Sequence, residues 1–411
     1  MRIHNAVPSK AAAVNPLKAS SARRLRVSII TETYPPEING VAMTMRHMVA
    51  GLHDRGHDVE LIRPTQHAGD RPLCAARLNE HLVRGCALPR YDSLKIGFPA
   101  GRLQRRLWSA RRPDVVHVVT EGPLGWSAVT AARRLGIPCS SDFHTNFHSY
   151  STHYGIGWMR STIAAYLRTL HNRTASTFVP TASLLEELAR DGYRNVSVVA
   201  RGVDTRQFDP AKRSDALREQ WQCVPGHPVV LSVGRLAPEK NLPAVITTFR
   251  AIQALRPQAR LVIVGDGPVR KRLQSANPDV IFAGMRIDED LARHYASGDI
   301  FLCPSITETF GNVIVEAMAS GLPIVAYDYA AAAQYLTHDE SAMLARFDHV
   351  QQFIDCAVDV AADPLRARRL AHRARRLAEK IDWQDVHDEF EMALLRVAEG
   401  ASPASARKHA D

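Results

Sequence analysis

Long apolar segments are the first thing that this 411-residue sequence lacks. No run approaches the roughly 18–20 apolar residues of a membrane-spanning helix, so we expect no transmembrane segment. Residues 1–24 contain no continuous apolar stretch, which disfavours a signal peptide and predicts a disordered, basic leader. Residues 400–411 read as a disordered tail. The remaining composition is globular, because 45% of the residues are apolar and 23% are charged.

Cysteine pairs are also missing. The six cysteines are Cys74, Cys86, Cys139, Cys223, Cys303 and Cys356. They form no C-x-x-C motif, and several of them lie within apolar runs. This pattern indicates reduced thiols rather than a disulfide framework, and it is typical of a cytoplasmic protein.

Recognition motifs for nucleic acids and dinucleotides are absent as well. The 52 Lys and Arg residues outnumber the 42 Asp and Glu residues, and the net charge of +10 indicates an anionic partner. That partner is a nucleotide, a nucleic acid or an anionic lipid surface. Because no aromatic stacking motif of an RNA-binding module is present, we expect no nucleic-acid partner. The G-x-G-x-x-G fingerprint is missing too, which disfavours NAD binding.

What the sequence does contain is a strand–turn–helix alternation that occurs twice. A chain of this length usually forms two domains, each with its own core. We therefore predict an α/β protein in which two doubly wound, Rossmann-like domains face each other across a cleft. The predicted bounds are 25–205 for the first domain, 206–382 for the second and 383–399 for a final helix.

The most informative stretch is PSITETFGNVIVEAMASGLP, residues 304–323. It predicts a loop and a short helix between two strands, with a glycine and a proline as stop signals. Gly311 and Asn312 open the helix, so its free N–H groups and positive dipole end suit an anion such as phosphate. Glu308 in the loop and Glu316 in the helix add carboxylates that accept hydrogen bonds from hydroxyls. The stretch therefore predicts a ligand that carries both phosphate and hydroxyl groups.

A cationic cluster follows the first strand of the second half, in the motif GRLAPEK. Arg235 offers a planar fork and Lys240 a point charge to phosphate oxygens. The alternative for Arg235 is a surface ion pair with Glu239. The next strand ends in GDGP, where Asp266 either belongs to the ligand site or caps the following helix. With the two glutamates, these residues describe a metal-free site that stabilises a departing nucleoside diphosphate.

The first half contributes two candidates at strand ends, where ligands of open α/β sheets bind. Gly40 either lets a ligand approach the backbone closely or simply starts a helix. His144 follows a predicted strand at 137–143, where it would donate to a ligand hydroxyl or position an acceptor. His148 and His153 lie in the same loop, but no carboxylate spacing accompanies them, which disfavours a metal site.

Four of these elements occur together in family 4 glycosyltransferases of the GT-B fold, which the sequence resembles over roughly residues 26–398. The elements are E-x7-E, G-R-x4-K, VGDGP and the loop PPEINGVA. The first half, with TETYPPEINGVA, TEGPLGWSA and SDFHTNFHSY, is especially similar to bacterial GDP-mannose-dependent α-mannosyltransferases. It is also similar to sulfoquinovosyl-diacylglycerol synthases, which use a UDP-sugar and a lipid acceptor. One departure is DYAAAAQYL at 328–336, where the family often has a Gly-Gly pair and an acid, and it leaves donor preference open.

The resemblance implies a role for individual residues. Glu308 would contact the donor sugar and Glu316 the ribose, while the turn around Met285 would take the base. Gly40 would lie on the loop over the phosphates. The implied catalytic residues are Glu308, His144 near the hexose, and the diphosphate-binding Arg235 and Lys240. The implied donor-binding residues are Gly40, Arg235, Lys240, Asp266, Met285, Glu308, Phe310, Gly311, Asn312 and Glu316.

The same resemblance implies the reaction. A hexose, with mannose from GDP-mannose as the best match, would pass to an acceptor hydroxyl with retention of the α configuration. Front-face attack would need no metal and no other cofactor. The acceptor would be a lipid or glycan, and a lipid acceptor would bring this cytoplasmic enzyme to the inner face of the membrane. The final helix would cross back to the first domain.

Two alternatives to this reaction stay open. One is a UDP-sugar-dependent diacylglycerol glycosyltransferase that transfers a glucosyl or sulfoquinovosyl group. The other is a GT-B protein or epimerase that binds a sugar nucleotide without transferring the sugar.

Two charged patterns also have two interpretations. Asp288-Glu289-Asp290 is formally a D-x-D motif, which holds a divalent metal in some sugar transferases. Its place at a predicted helix start favours acids that complement the helix dipole instead. Residues 101–112 and 365–376 are rich in arginine and either lie on anionic lipid or form solvated basic faces.

Overall fold

Two mainly parallel β-sheets, each with a hydrophobic core on both faces, organise the chain in a computed structural model. The structure describes residues 23–88, 91–144, 160–224 and 226–400. Nearly all of the predicted leader and tail lie outside these ranges, and so do His148 and His153.

The first domain begins with β1 and ends with β10. Its strands are β1 (Arg26–Ile30), β2 (Asp58–Pro64), β3 (Cys74–Ala75), β4 (Leu78–Val83), β5 (Gly85–Leu88), β6 (Tyr91–Gly97), β7 (Val115–Val118), β8 (Cys139–Asp142), β9 (Ser176–Val179) and β10 (Val196–Val198). Its helices are α1 (Gly40–Asp54), α2 (Gly101–Ala110), α3 (Pro123–Arg134), α4 (Arg160–His171) and α5 (Ala182–Arg190).

The first sheet has the order β10-β9-β8-β7-β1-β2-β4-β3, and only β3 runs antiparallel to its neighbour. Its central strands are continuous apolar runs because helices cover both faces of a parallel sheet. Val27 of β1, for example, pairs with Val59 of β2 and Val115 of β7. The order of strands reverses between β1 and β7, which makes their carboxyl ends a topological switch point.

The second domain follows the same plan. Its strands are β11 (Val229–Val233), β12 (Arg260–Val264), β13 (Ile281–Gly284), β14 (Ile300–Cys303), β15 (Ile324–Tyr327) and β16 (Met343–Ala345). Its helices are α6 (Asp215–Gln220), α7 (Leu242–Leu255), α8 (Arg270–Ala276), α9 (Asp288–Ala296), α10 (Asn312–Ala319), α11 (Ala330–Tyr335), α12 (Val350–Ala362) and α13 (Pro364–Ala378). The all-parallel order β13-β12-β11-β14-β15-β16 reverses between β11 and β14, which gives a second switch point.

The last helix, α14 (Trp383–Ala398), returns to the first domain, as expected. Phe390 and Leu394 of this helix join the core beneath β1 and α1. Close packing is possible because Gly51 lacks a side chain, since a Cβ there would lie only 2.5 Å from the ring of His387. A contact of 3.3 Å between His57 Nε2 and Glu391 Oε1 adds a buried polar interaction. The predicted two-domain GT-B architecture with its crossing helix is confirmed.

Several short elements of the structure were not predicted. The segment between β2 and α2 contributes β3 to β6, and the region between β15 and α12 contributes α11 and β16. The sequences of these strands are short or rich in polar residues, as in RLNEHLV around β4. β3 and β4 lie at or next to the edge of the first sheet, where the apolar pattern is weak. β16 is buried, but its three residues are too few to show a pattern.

The basic helix α2 packs its apolar side into the first domain. Trp108 is buried, and its indole N–H lies 3.0 Å from Ser28 Oγ and 2.9 Å from Glu60 Oε1. Leu103 and Leu107 pack against the same core, so the arginines make up most of the exposed face. Among the helices that the structure describes, none has the length and apolar character to cross a bilayer.

Candidate active site

The carboxyl ends of strands from both sheets meet between the domains. Gly40, after β1, and His144, after β8, contact the loop that follows β14 in the second sheet and the helix that begins there. A small, open concavity lies at the ends of β11 and β14. Its lining includes Gly234, Arg235, Lys240, Cys303 and Ser305. Sequence-predicted residues therefore line a real concavity.

The loop after β11 carries both predicted phosphate-binding cations. Arg235 forms an ion pair with Glu239, whose side chain is fully buried, and one third of the Arg235 side chain remains exposed. A 3-10 turn, Pro238–Lys240, then directs Lys240 into an ion pair with Glu308. The surface-pair interpretation of Arg235 is thus partly correct, because the pair exists beside the cavity.

Glu308 is held by two contacts at the mouth of the cavity. Its carboxylate meets the Lys240 ammonium, and 16% of its side chain is exposed. Its backbone carbonyl accepts a hydrogen bond of 2.8 Å from the Tyr329 hydroxyl. Tyr329 belongs to the segment that departs from the family pattern, so this segment supports the Glu308 loop with a side chain. Ala330, which follows, has a φ of +51° without being glycine.

Two glycines allow the loops after β11 and β12 to touch. A Cβ on Gly265 would lie 1.9 Å from the Gly234 carbonyl oxygen, and one on Gly267 would lie 2.4 Å from the carbonyl oxygen of Leu236. Both glycines also have positive φ, at +131° and +158°. The GDGP motif therefore sets the position of the backbone that carries Arg235 and Lys240.

Asp266 of the same motif does not cap α8, which was the alternative to a place in the ligand site. Its Oδ2 pairs with Arg270 at 2.7 Å, and its Oδ1 accepts from the backbone N–H of Gly267 at 2.7 Å. The residue preceding the helix is Val269, which has no side-chain acceptor, so the helix begins one turn later than a cap at Asp266 requires.

The amino ends of two helices meet across the cleft. Gly311, with a φ of +97°, precedes α10, and no side-chain cap of this helix is found among the described residues. Asn312 then reaches the first domain, where its amide lies 3.4 Å from the carbonyl oxygen of Gly40 and 3.5 Å from Thr44 Oγ1. Gly40 is the first residue of α1, so two positive helix ends converge on one space. Such a space favours an anion.

Glu316 lies one turn into α10 and faces Tyr295 of α9. The Tyr295 hydroxyl donates to Glu316 Oε2 at 2.8 Å. Burial raises the pKa of Glu316 to about 7, while the hydrogen bond from Tyr295 acts in the opposite direction. Glu316, which was predicted to bind the ribose, is therefore a half-buried carboxyl group whose charge changes near neutral pH.

His144 sits at the end of β8, where both of its ring nitrogens face protein groups. Nε2 lies 2.8 Å from Asp142 Oδ2, and Nδ1 lies 3.2 Å from the Arg201 guanidinium. Because arginine only donates, Nδ1 is the unprotonated nitrogen. Burial lowers the pKa of His144. The ring nitrogens, which were expected to bind a ligand hydroxyl, therefore contact protein groups in this structure.

A hydrogen bond joins His144 directly to the second domain. The Thr309 hydroxyl, next to Glu308, donates to the His144 carbonyl at 2.8 Å. Thr309, Asp142 and Arg201 were all missed from the sequence. The alternation in D-x-H, which places Asp142 and His144 on one side of a strand end, was an available signal for Asp142.

The other predicted site residues differ in their exposure. The Met285 side chain is 48% exposed after β13, so it is accessible to a base. Phe310 is only 4% exposed, and its ring packs against Tyr335 within the core. Any contact of Phe310 with a donor must therefore involve its backbone, although the sequence pattern placed the residue among the donor ligands.

The D-x-D acids lie at the start of α9, as preferred, and each of them has a cationic neighbour. Asp288 pairs with Arg46 of the first domain at 3.6 Å. Glu289 pairs with Lys212 at 2.5 Å, and Asp290 pairs with Arg286 at 3.0 Å. Over the described ranges, no group of three or more His, Cys, Asp or Glu side chains is arranged to hold a metal ion.

Comparison with known proteins gives matches in both halves of the chain. Residues 38–207 match the family described as Glycosyltransferase Family 4, and residues 227–363 match Glycosyl transferases group 1. A GDP-mannose-dependent alpha-mannosyltransferase from Mycobacterium tuberculosis is 36% identical over 371 residues, which cover 89% of this chain and 95% of that protein. A sulfoquinovosyl transferase from Arabidopsis thaliana is 27% identical and covers 87% of this chain and 71% of its own.

A solved structure supports the fold independently of close sequence similarity. The Anabaena protein HepE, crystallised with UDP and glucose, superposes with a TM-score of 0.71 at 18% identity. The match covers 90% of this chain and 99% of that protein. The superposition supports the two-domain fold derived above from the strand order.

Proposed function

This chain belongs to glycosyltransferase family 4 and transfers a sugar from a nucleotide sugar, and we propose that it moves mannose from GDP-mannose to an acceptor hydroxyl, with retention of the α configuration. The observation that carries the transfer chemistry is the pairing of Lys240 with Glu308 at the cavity mouth. Beside them, Arg235 and the amino ends of α1 and α10 converge on the same space.

The Lys240–Glu308 pair gives the site a function before and after donor binding. Without donor, each charge neutralises the other in a partly buried position. When a sugar diphosphate enters, we propose that Lys240 turns to the phosphate oxygens and that Glu308 accepts hydrogen bonds from the sugar hydroxyls. The ammonium then stabilises negative charge on the leaving diphosphate, where it matters most for the rate.

The departing diphosphate needs concentrated positive charge. Arg235, Lys240 and the two helix ends supply it, so we propose that neither a metal nor another cofactor takes part. The acceptor hydroxyl would attack on the face of the sugar from which the diphosphate leaves. The leaving phosphate oxygen can take the proton of that hydroxyl. No side-chain nucleophile is required in this scheme.

The donor assignment rests on a 36% identical relative whose name specifies GDP-mannose. The alternative, a UDP-sugar with a diacylglycerol acceptor, is supported by the similarity to a sulfoquinovosyl transferase and by the UDP complex of HepE. The second alternative, sugar-nucleotide binding or epimerisation without transfer, is disfavoured by membership of a transferase family. Incubation of donor with a lipid extract distinguishes these, since only a transferase yields a new glycoconjugate.

We expect GDP-mannose to raise the melting temperature more than UDP-glucose or ADP-glucose at equal concentration. A ligand at about 100 times its Kd stabilises a protein by about 2.7 kcal/mol, which shifts the melting temperature by several degrees. The measurement is a thermal melt with each nucleotide sugar, and mannose 1-phosphate serves as a control that lacks the base. Larger protection by UDP-glucose would transfer the assignment to a UDP-sugar enzyme.

We further propose a lipid or glycan acceptor and a cytoplasmic enzyme that docks peripherally on anionic membrane. The exposed arginines Arg102 and Arg106 on α2 and Arg368 and Arg376 on α13 support this by charge. Because the apolar side of α2 is packed in the core, membrane binding through α2 must rest on electrostatics.

Sedimentation with anionic phosphatidylglycerol vesicles should therefore carry the protein down at low salt. The vesicles should release the protein at about 1 M salt, where the Debye length is about 3 Å. Phosphatidylcholine vesicles are the control, and the double variant Arg102→Glu, Arg106→Glu should bind several-fold more weakly. A protein that stays in the supernatant with anionic vesicles at low salt contradicts this proposal.

A further inference from the structure

Tyr295 is the hydrogen-bond partner of Glu316, the second glutamate of the E-x7-E motif. Its side chain is fully buried, and its ring centroid lies 5.6 Å from that of Phe208 and 5.7 Å from that of Phe301. Two aromatic neighbours therefore fix the ring, and with it the direction of the hydroxyl. Burial alone does not explain this hydroxyl, because a phenylalanine would fill the same space without a polar group.

We propose that Tyr295 is a positioning residue for the nucleotide and that it acts through Glu316. Its hydroxyl holds Oε2 of the carboxylate, which leaves Oε1 to accept hydrogen bonds from the ribose hydroxyls of the donor. A carboxyl group held at one oxygen keeps a single side-chain rotamer, so less conformational entropy is lost when the ribose binds. This inference rests on the proposed function, in which Glu316 faces the ribose.

The charge of Glu316 makes this hydrogen bond important. Burial raises the pKa of Glu316 to about 7, and within the described chain the Tyr295 hydroxyl is the group that opposes this rise. Neighbouring elements bring other titratable or charged groups nearby: Tyr335 on α11 packs on Phe310, Arg375 on α13 binds the Ala319 carbonyl, and Cys303 on β14 approaches Tyr295. The raised pKa of Glu316 is set by burial, which raises it, and by the hydrogen bond from Tyr295, which lowers it.

Donor affinity should consequently depend on pH near neutrality. Below pH 7 Glu316 is mainly protonated, so its carboxyl group carries an O–H donor where the ribose hydroxyls need an acceptor. Above pH 7 it is a carboxylate, which makes stronger, charge-assisted hydrogen bonds to the ribose. The wild-type protein should therefore bind donor more tightly as the pH rises through 7, and loss of the Tyr295 hydroxyl should move this rise to higher pH.

The test is calorimetric titration of Tyr295→Phe and wild type with GDP-mannose, and in parallel with UDP-glucose, from about pH 6 to about pH 8.5. A hydrogen bond to a charged group that is lost corresponds to a pKa rise of about one unit or more. We expect the Kd of the variant to be about tenfold weaker at pH 7, with a gap that narrows to about twofold at the alkaline end. The maximal kcat should change little, since the reacting atoms are elsewhere.

Two variants separate this role from a merely structural one. Glu316→Gln removes the titration, so its Kd should be weak and should not change between these pH values. Tyr166→Phe also removes a short tyrosine hydrogen bond, 2.6 Å to the Glu121 carbonyl in the first domain, and should leave the Kd unchanged. If the Kd of wild type and that of Tyr295→Phe changed in parallel with pH, the inference would be overturned and the proposed function would stand. Failure of wild type to bind either nucleotide sugar would overturn the proposed function, and the inference with it.

Discussion

Lys240→Met should reduce kcat for sugar transfer by about a hundredfold to a thousandfold. This is the range observed when one preorganised donor to a developing negative charge is removed. Methionine keeps most of the length of the side chain, so the change removes the charge and little packing. It also leaves the Glu308 carboxylate without its ion-pair partner, which loosens the loop that we propose binds the sugar. The measurement is steady-state transfer from the donor that gives the largest thermal protection.

The matched control for this experiment is Lys271→Met on α8. Lys271 is an exposed lysine of the same domain, outside the cavity lining, and its loss lowers the net charge by the same amount. We expect full activity from Lys271→Met and unchanged circular dichroism from both variants. Glu308→Gln should also be severely impaired, and the double variant should be little worse than either single one, because residues that act as a unit are not additive. Full activity in Lys240→Met would contradict the assignment of the site.

Gly265→Ala should be the most damaging single-methyl substitution near the cavity. The new Cβ would stand 1.9 Å from the Gly234 carbonyl oxygen, and a backbone carbonyl cannot rotate away as a side chain can. The φ of +131° adds backbone strain for any L-residue. The loop after β11 must therefore shift, and Arg235 and Lys240 move with it. We expect a loss of about 4 kcal/mol in the free energy of unfolding and about a hundredfold in transfer.

Gly226→Ala separates strain from collision. Gly226 also has a positive φ, +81°, but a Cβ there would meet nothing within 4 Å. Alanine at this position should cost only about 1 kcal/mol and should leave transfer intact. Denaturant unfolding and donor-dependent transfer are measured for both variants. Equal losses in the two would show that contact between the two loops is unimportant.

The sequence predicted the parts of the site that depend on local signals. Gly311 and Asn312 mark a helix start because glycine tolerates the left-handed backbone that precedes α10. Lys240 was found because it lies a fixed distance after a strand end. The type of sheet was predictable, because alternating strands and helices build parallel sheets with ligand sites at their switch points.

The missed features depend on contacts between distant residues. The Asn312 amide and Gly40 carbonyl are 272 positions apart, and Thr309 and His144 are 165 apart. No periodicity within one element encodes such a pair. Tyr295 was missed for a related reason, because a tyrosine in an apolar helix pattern looks like core, and only its hydroxyl distinguishes it. The donor base and acceptor depend on side-chain shapes that the shared motifs do not specify.

The crossing helix has a consequence for how the protein is made. Arg23, before β1, forms an ion pair of 3.5 Å with Glu399, after α14, so both ends of the described chain meet on the first domain. The whole second domain is thereby an insertion between two parts of the first. Phe390 and Leu394 belong to the first domain's core but are synthesised after the second domain. The first domain therefore starts folding earliest on the ribosome and is completed last, when its missing helix arrives.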